Sequence, residues 1–285
     1  MILSPASLTV WPSAIAVLAY GLASVLPQAE DETATVNQRR IWAALALAWL
    51  AHAVSIALDT FSWDSPNPSA RFGFAPALSV TTWLVLAVYA AESHRVGLPA
   101  VRRVLAWLAA ATVVLAWAFP GQEHLAIGSP WLPLHWILGF ASYGLIGAAL
   151  MHAALMRHAE RQLRARPGLT MGKAMAPIGA QALGMPLLRL ESLTLRFVAA
   201  GFAMLTLTLL LGFWFSHPWR WDHKAVFSVL SWVVFAILLM GRYQFGWRGR
   251  QAVRWLYAGS ALLLLAYVGS RFVMEVVLHR TAIPS

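Results

Sequence analysis

Among its 285 residues the chain has no cysteine. That rules out disulfides, thiolate metal sites and thioether attachment of a cofactor to this chain. Charge is scarce as well: Asp, Glu, Lys and Arg make up 11% of residues, against about 25% in a soluble domain. Carboxylates are the scarcer sign, 11 against 21 Lys and Arg. No HExxH pattern and no Asp/Glu cluster is present, which argues against a hydrolytic metal centre. There is no Walker motif, phosphate-binding glycine loop or repeat of fixed period. No polar stretch is long enough for a separate soluble domain, so any chemistry lies among apolar helices or in their short connections.

What is present is apolar. Hydrophobic residues form 60% of the chain, and the mean hydropathy is +0.65. Crossing a bilayer as a helix takes about 20 apolar residues. Eight runs meet that need, at 8–26, 41–58, 75–92, 102–119, 132–156, 193–215, 225–242 and 253–275. The expectation is an all-α polytopic membrane protein with eight transmembrane helices, forming a single integral-membrane domain over 1–285. The fifth helix is expected to run on through the polar segment "MRHAERQLRAR". The first run has no basic segment before it and no small-x-small pattern after it, so it is expected to be retained as a helix.

Most of the 21 Lys and Arg fall in the connections after runs one, three, five and seven. The positive-inside rule then places those connections in the cytoplasm and both termini outside. The net charge of +10 is explained by this orientation, so no nucleic-acid partner is expected.

Ionisable residues inside a span are costly and draw attention to function. On this topology His94 and His158 flank the cytoplasmic side among arginines, while His124 and His279 lie outside. His152 is expected to reach the inner interface by snorkelling. His52, in "WLAHAVSIAL", lies about 9 Å below the outer end of its span at 1.5 Å per residue. His135, in "WLPLHWILGFASYG", lies about one turn below the outer end of another. Two imidazoles at similar depth on different helices either hydrogen-bond across the bundle or ligate a metal, haem iron among the choices. The lack of carboxylates favours haem over zinc.

The connection at 216–224, "SHPWRWDHK", faces the same side. An interfacial aromatic belt accounts for Trp11, Trp83, Trp107 and Trp117. It does not account for Trp219 and Trp221 set among Arg220, Asp222 and Lys224. Indole rings offer area to a flat macrocycle, and Arg220 and Lys224 suit its carboxylates. Asp222 could orient a histidine, and His217 and His223 bracket the loop as further candidate ligands.

The stretch from Trp214 to Ala252, with "RWDHK" and then "GWRGRQA", resembles the tryptophan-rich WWD segment of the cytochrome c assembly membrane proteins, the CcsA/CcmC superfamily. "LAHAVSI" at His52, "LPLHWILGFASYGL" at His135 and the segment from Pro186 to Gly212 are similar to its eight-helix HemX/YpjD-like branch. The resemblance implies haem handling at the outer face of a bacterial inner (cytoplasmic) membrane, in a multi-pass protein. It implies haem b as cofactor, with His52 and His135 as iron ligands. Trp219, Trp221 and Asp222 match the WWD core. Larger members read approximately WDPKE where Trp221 to Ala225 reads WDHKA, and this departure favours haem binding over attachment. No group is then required to perform covalent chemistry, and an enzyme is not expected. The partners implied are haem, the lipid bilayer and either cytochrome c maturation proteins or a tetrapyrrole-synthesis enzyme. The alternatives are a regulator of tetrapyrrole synthesis acting through the basic connection between runs five and six, and a haem or solute exporter subunit; neither would need haem ligation.

Overall fold

The computed structural model describes residues 5–26, 34–60, 69–93, 99–125, 131–164, 181–182, 185–215, 221–273 and 276. His217, Trp219 and Arg220 of the tryptophan loop lie outside these residues, as do His94 and His279. Eight helices account for most of what is described. They are α1 (Pro5–Val25), α2 (Ala34–Thr60), α3 (Phe74–Ser93), α4 (Pro99–Ala118), α5 (Leu132–Arg164), α6 (Leu187–Phe215), α7 (His223–Phe245) and α8 (Gly249–Leu264). α8 continues through a π-helical turn, Leu265–Gly269, into Ser270–Phe272. The helices α2 to α8 are long and apolar enough to cross a membrane; the apolar part of α1, Val10–Val25, is shorter. The expected extension of the fifth helix is observed, since α5 reaches Arg164.

The helices pack in two groups. α1 to α4 enclose a core that includes Tyr20, Ile41, Ala48, Leu86, Ala106 and Val113. α5 to α8 enclose a second, around Ile146, Val198, Phe235, Leu238 and Leu256. α5 belongs to both, lending Leu155 and Ala159 to the first core and Ile146 and Ala153 to the second. It meets α3 closely because Gly147 has no side chain, and a Cβ there would stand 2.8 Å from Val85 Cγ2. Small residues of this kind let helix backbones approach where no hydrophobic force separates helix from lipid.

Two short hairpin-like pairings bridge connections. β1 (Ser69–Phe72) and β2 (Gln122–Leu125) run antiparallel with Ser69 opposite Leu125, tying the α2–α3 connection to the α4–α5 connection. β3 (Gln181–Ala182) pairs with β4 (Met185–Pro186) ahead of α6.

The quoted motifs at the two ends of α7 have local structural work. Asp222 is the N-cap of α7, and its Oδ1 accepts from Ala225 N at 2.8 Å. Trp221 beside it is 70% exposed. Such a cap stabilises by about 1 kcal/mol. Asp222→Ala is therefore expected to lower stability by about that amount, and Asp222→Ser to restore it. Thermal unfolding in detergent checks both. At the other end Gly246 takes φ 64° as the left-handed C-cap, and Trp247 N donates back to Gly241 O at 3.2 Å. The Trp247 ring lies on Gly241, where a Cβ would come within 2.3 Å of it, and stacks on Trp255 at 5.6 Å. Arg242 donates to Glu191 of α6 at 3.2 Å and to the Trp247 carbonyl at 3.1 Å. "GWRGRQA" thus fastens α6, α7 and α8 together.

Candidate functional site

His52 sits in α2 without solvent exposure. Its Nδ1 is 3.2 Å from Tyr20 Oη on α1, and its Nε2 is 2.7 Å from Ser79 Oγ on α3. A neutral imidazole has one donor and one acceptor nitrogen, so both are engaged. The Tyr20 ring meets it edge-on, with centroids 5.8 Å apart. Further hydroxyl pairs extend the same seam. Ser13 and Ser55 are 2.8 Å apart between α1 and α2, and Ser55 donates to Asp59 at 3.2 Å. Thr82 and Thr112 are 2.7 Å apart between α3 and α4. Buried hydroxyls in helices this apolar have no water to turn to, so they pair across the group.

His135 is differently placed. It lies one turn into α5, half-buried, and its ring packs on α6 at Gly212, where a Cβ would stand 3.2 Å from His135 Cε1. The Thr208 backbone and Lys224 are the ring's other polar neighbours. The Nδ1 atom is buried and has no hydrogen-bond partner among the described residues. Seven residues further on, and so on the same stripe of α5, Ser142 Oγ is buried and unpartnered in the same sense. Two unsatisfied polar atoms on one helix face are uncommon in a folded core and ask for an explanation.

The cations gather on the α7–α8 side of this helix. Lys224, in the first turn of α7, holds Nζ 5.8 Å from the Tyr267 ring centre, and the Arg271 guanidinium is 6.0 Å from the same ring. Tyr267 lies in the π-helical turn. Tyr143 of α5 donates to the Leu263 carbonyl just before that turn. Single π-turns of this type occur often at functional positions. His223 is exposed, and Asp222 and Lys224 are near enough to interact electrostatically.

Of the residues singled out by sequence, His135, Asp222 and Lys224 therefore come together at one end of the second helix group. His52 lies in the other group, with its hydrogen-bond partners on α1 and α3. Sequence alone does not single out Tyr20, Ser79, Gly212 or Tyr267. His152 departs from its expected place. It does not snorkel but is fully buried, with Nδ1 2.7 Å from the Ala148 carbonyl and Nε2 2.5 Å from Glu92 Oε2. A carboxylate partner on α3 makes burial cheaper than reaching the interface. Among the described residues no group of three or more His, Cys, Asp or Glu is placed to hold a bare metal ion.

Residues 39–278 match the family model described as cytochrome C assembly protein. The chain is 31% identical over 170 residues to inner membrane protein YpjD of Escherichia coli strain K12, covering 58% of this chain and 60% of that protein. It is 30% identical over 165 residues to cytochrome c biogenesis protein CcsA of Prochlorococcus marinus strain MIT 9303, covering 50% of this chain and 52% of that protein. A CcsA from Synechococcus sp. strain CC9605 is 29% identical over 162 residues. The matched region thus spans between half and three fifths of these relatives. No solved structure matches.

Proposed function

The chain belongs to the cytochrome C assembly protein family, and from that premise we propose that it is a multi-pass inner-membrane protein that binds and hands on haem b without attaching it. Haem is held at the Lys224 end of the second helix group. His135 is the protein's iron ligand there, and Lys224 and Arg271 neutralise the propionates. The observation that carries this reading is the buried Nδ1 of His135 with no hydrogen-bond partner among the described residues. A free imidazole nitrogen is what an axial ligand needs. Bound haem would supply an iron centre whose potential is set by its axial ligands and surroundings.

The chain's own residues have separable tasks in this reading. Gly212 leaves the space that His135 occupies against α6. Asp222 fixes the start of α7 and with it the position of Lys224. Trp221 offers an exposed indole at the rim, continued in sequence by Trp219, Arg220 and His217. His52 serves as second ligand only if its bond to Ser79 or to Tyr20 opens. The closed pairing of both its nitrogens favours, for the resting conformation, a structural histidine that stitches α1, α2 and α3. The outward orientation of this end follows from the distribution of Lys and Arg. Partners that deliver or receive haem belong to cytochrome c maturation.

The test is a pyridine haemochrome assay with oxidised and reduced absorbance spectra of the detergent-purified chain, loaded with haem. The expected result is about one b-type haem per chain, with a Soret band typical of histidine ligation. Absence of a shifted Soret band after loading would overturn the proposal and leave the regulator reading.

A further inference from the structure

The first helix group carries a second feature, distant in sequence from the His135 site. Between α2 and α3, backed by Tyr20 of α1, lies an apolar cleft of about 290 Å³. Trp42, Leu45, Ala46 and Trp49 form one wall; Leu86, Ala87, Tyr89 and Ala90 form the other. Two indoles tie its two walls together. Trp49 and Trp83 stack at 4.5 Å, and each donates its Nε1 hydrogen to the other's backbone carbonyl, at 3.2 and 3.1 Å. Reciprocal bonding of this kind holds α2 and α3 at a set separation. Ala46 is exposed, so the cleft opens sideways where the bilayer would lie.

Near Tyr89, which lines the cleft, stands an unusual charge. Arg102, near the start of α4, is only 5% exposed. One nitrogen donates to the Leu26 carbonyl at 3.3 Å. Its Nε is buried with no hydrogen-bond partner, and no carboxylate pairs with it among the described residues. Its electrostatic neighbours are Tyr89, which lines the cleft, and Arg103, of like charge. Arg39 and Arg40 stand exposed within a turn of Trp42 on the facing helix. Burying a guanidinium without an anion is expensive. A buried guanidinium without a carboxylate, next to a residue that lines an apolar slot, therefore calls for an anion that brings its own apolar chain.

We propose that this cleft binds an anionic phospholipid, with one acyl chain between α2 and α3 and the phosphate on Arg102. The chemistry is complementary at each point. Guanidinium pairs bidentately with phosphate. Alanine and indole walls accept an alkyl chain, and basic residues at the ends of apolar spans suit the depth of headgroups. This site is independent of the haem reading, and failure of either leaves the other standing.

Native mass spectrometry of the full chain in detergent tests the proposal, with phosphatidylglycerol and phosphatidylcholine of matched acyl chains as probes. Wild type is expected to retain phosphatidylglycerol with an apparent Kd about fivefold or more below that for phosphatidylcholine, as expected for one well-placed arginine. Arg102→Gln should abolish that preference. Ala46→Phe, which fills the slot from its lipid-facing side, should weaken retention of both lipids. Arg39→Gln with Arg40→Gln should leave most of the preference intact. Equal retention of the two lipids by wild type would overturn the site. So would an undiminished preference in Arg102→Gln, or undiminished retention in Ala46→Phe. Should Arg102→Gln not fold, brominated acyl chains decide instead. Brominated phosphatidylglycerol should quench wild-type fluorescence more than brominated phosphatidylcholine, and Trp42→Phe should reduce that difference. Equal quenching by the two lipids sinks the proposal.

Discussion

Replacing His135 with alanine is expected to lower bound haem by about tenfold or more, since loss of an iron–imidazole bond exceeds the roughly 1.4 kcal/mol that a factor of ten represents. The expectation rests on geometry at one atom. Nδ1 of His135 is buried, 3.8 Å from where a Cβ on Gly212 would stand, and makes no hydrogen bond among the described residues. Removing the ring leaves no other unpaired imidazole nitrogen on that face of α5. Haem content by the pyridine haemochrome method is the measurement. His158→Ala and His94→Ala serve as controls: His158 is exposed on α5, and neither variant should lose haem. Gly212→Ala is a finer probe, because a methyl group at 3.2 Å from Cε1 requires the ring to shift by a few tenths of an ångström. It should move the Soret maximum with little loss of haem. His52→Ala separates the one-ligand from the two-ligand state: a changed low-spin spectrum would make His52 the second ligand. Unchanged spectra in both His52→Ala and His135→Ala would eliminate ligation by either.

The helical architecture was legible because transmembrane helices announce themselves by length. All seven long apolar helices, from α2 to α8, lie where apolar runs of adequate length lie in the sequence. Depth was legible too, since position along a helix follows from residue count. Direction around a helix was not. α2 is apolar on all sides, so no polar stripe tells which way His52 points, and its partners Tyr20 and Ser79 are 32 and 27 residues away. His152 was misplaced for the same reason: Glu92, the residue that keeps it inside, is 60 positions distant. The role of Asp222 as a cap was within reach of the sequence. An Asp directly before a long apolar run is an N-cap signal, but its tryptophan neighbours point equally to a macrocycle. The π-helical turn carries no local signature in "LAYVG", and only packing of Tyr143 against the Leu263 carbonyl marks it.

Glu92→Leu is expected to destabilise the chain by about 2 kcal/mol, and His152→Leu in the same chain to recover most of that loss. The reason lies in counting protons. Nδ1 of His152 faces the Ala148 carbonyl at 2.7 Å, and a carbonyl can only accept, so Nδ1 carries hydrogen. The Nε2–Oε2 distance of 2.5 Å to Glu92 then holds one more proton, on the ring or on the carboxyl. Either arrangement satisfies both groups and leaves the pair neutral as a whole. Removing the carboxyl strands a nitrogen of a wholly buried imidazole, whose ring stacks on Phe197 at 5.2 Å. An orphaned buried group costs about 1–3 kcal/mol, and a broken buried ion pair about 3–5. Glu92 is partly exposed and sits in the last turn of α3, where the helix dipole disfavours a carboxylate by about 0.5 kcal/mol. Its loss therefore returns a little, which brings the expected figure to the lower part of that range. Replacing both partners with leucine removes the polar demand altogether, and apolar substitutes for buried pairs are often neutral or better. Glu92→Gln should fall between, because its amide N–H can donate to a neutral imidazole. A double-mutant cycle read by thermal unfolding in detergent measures the coupling. Additive losses, with the double variant less stable than either single one, would show that the two side chains act independently and that the short contact carries no stability.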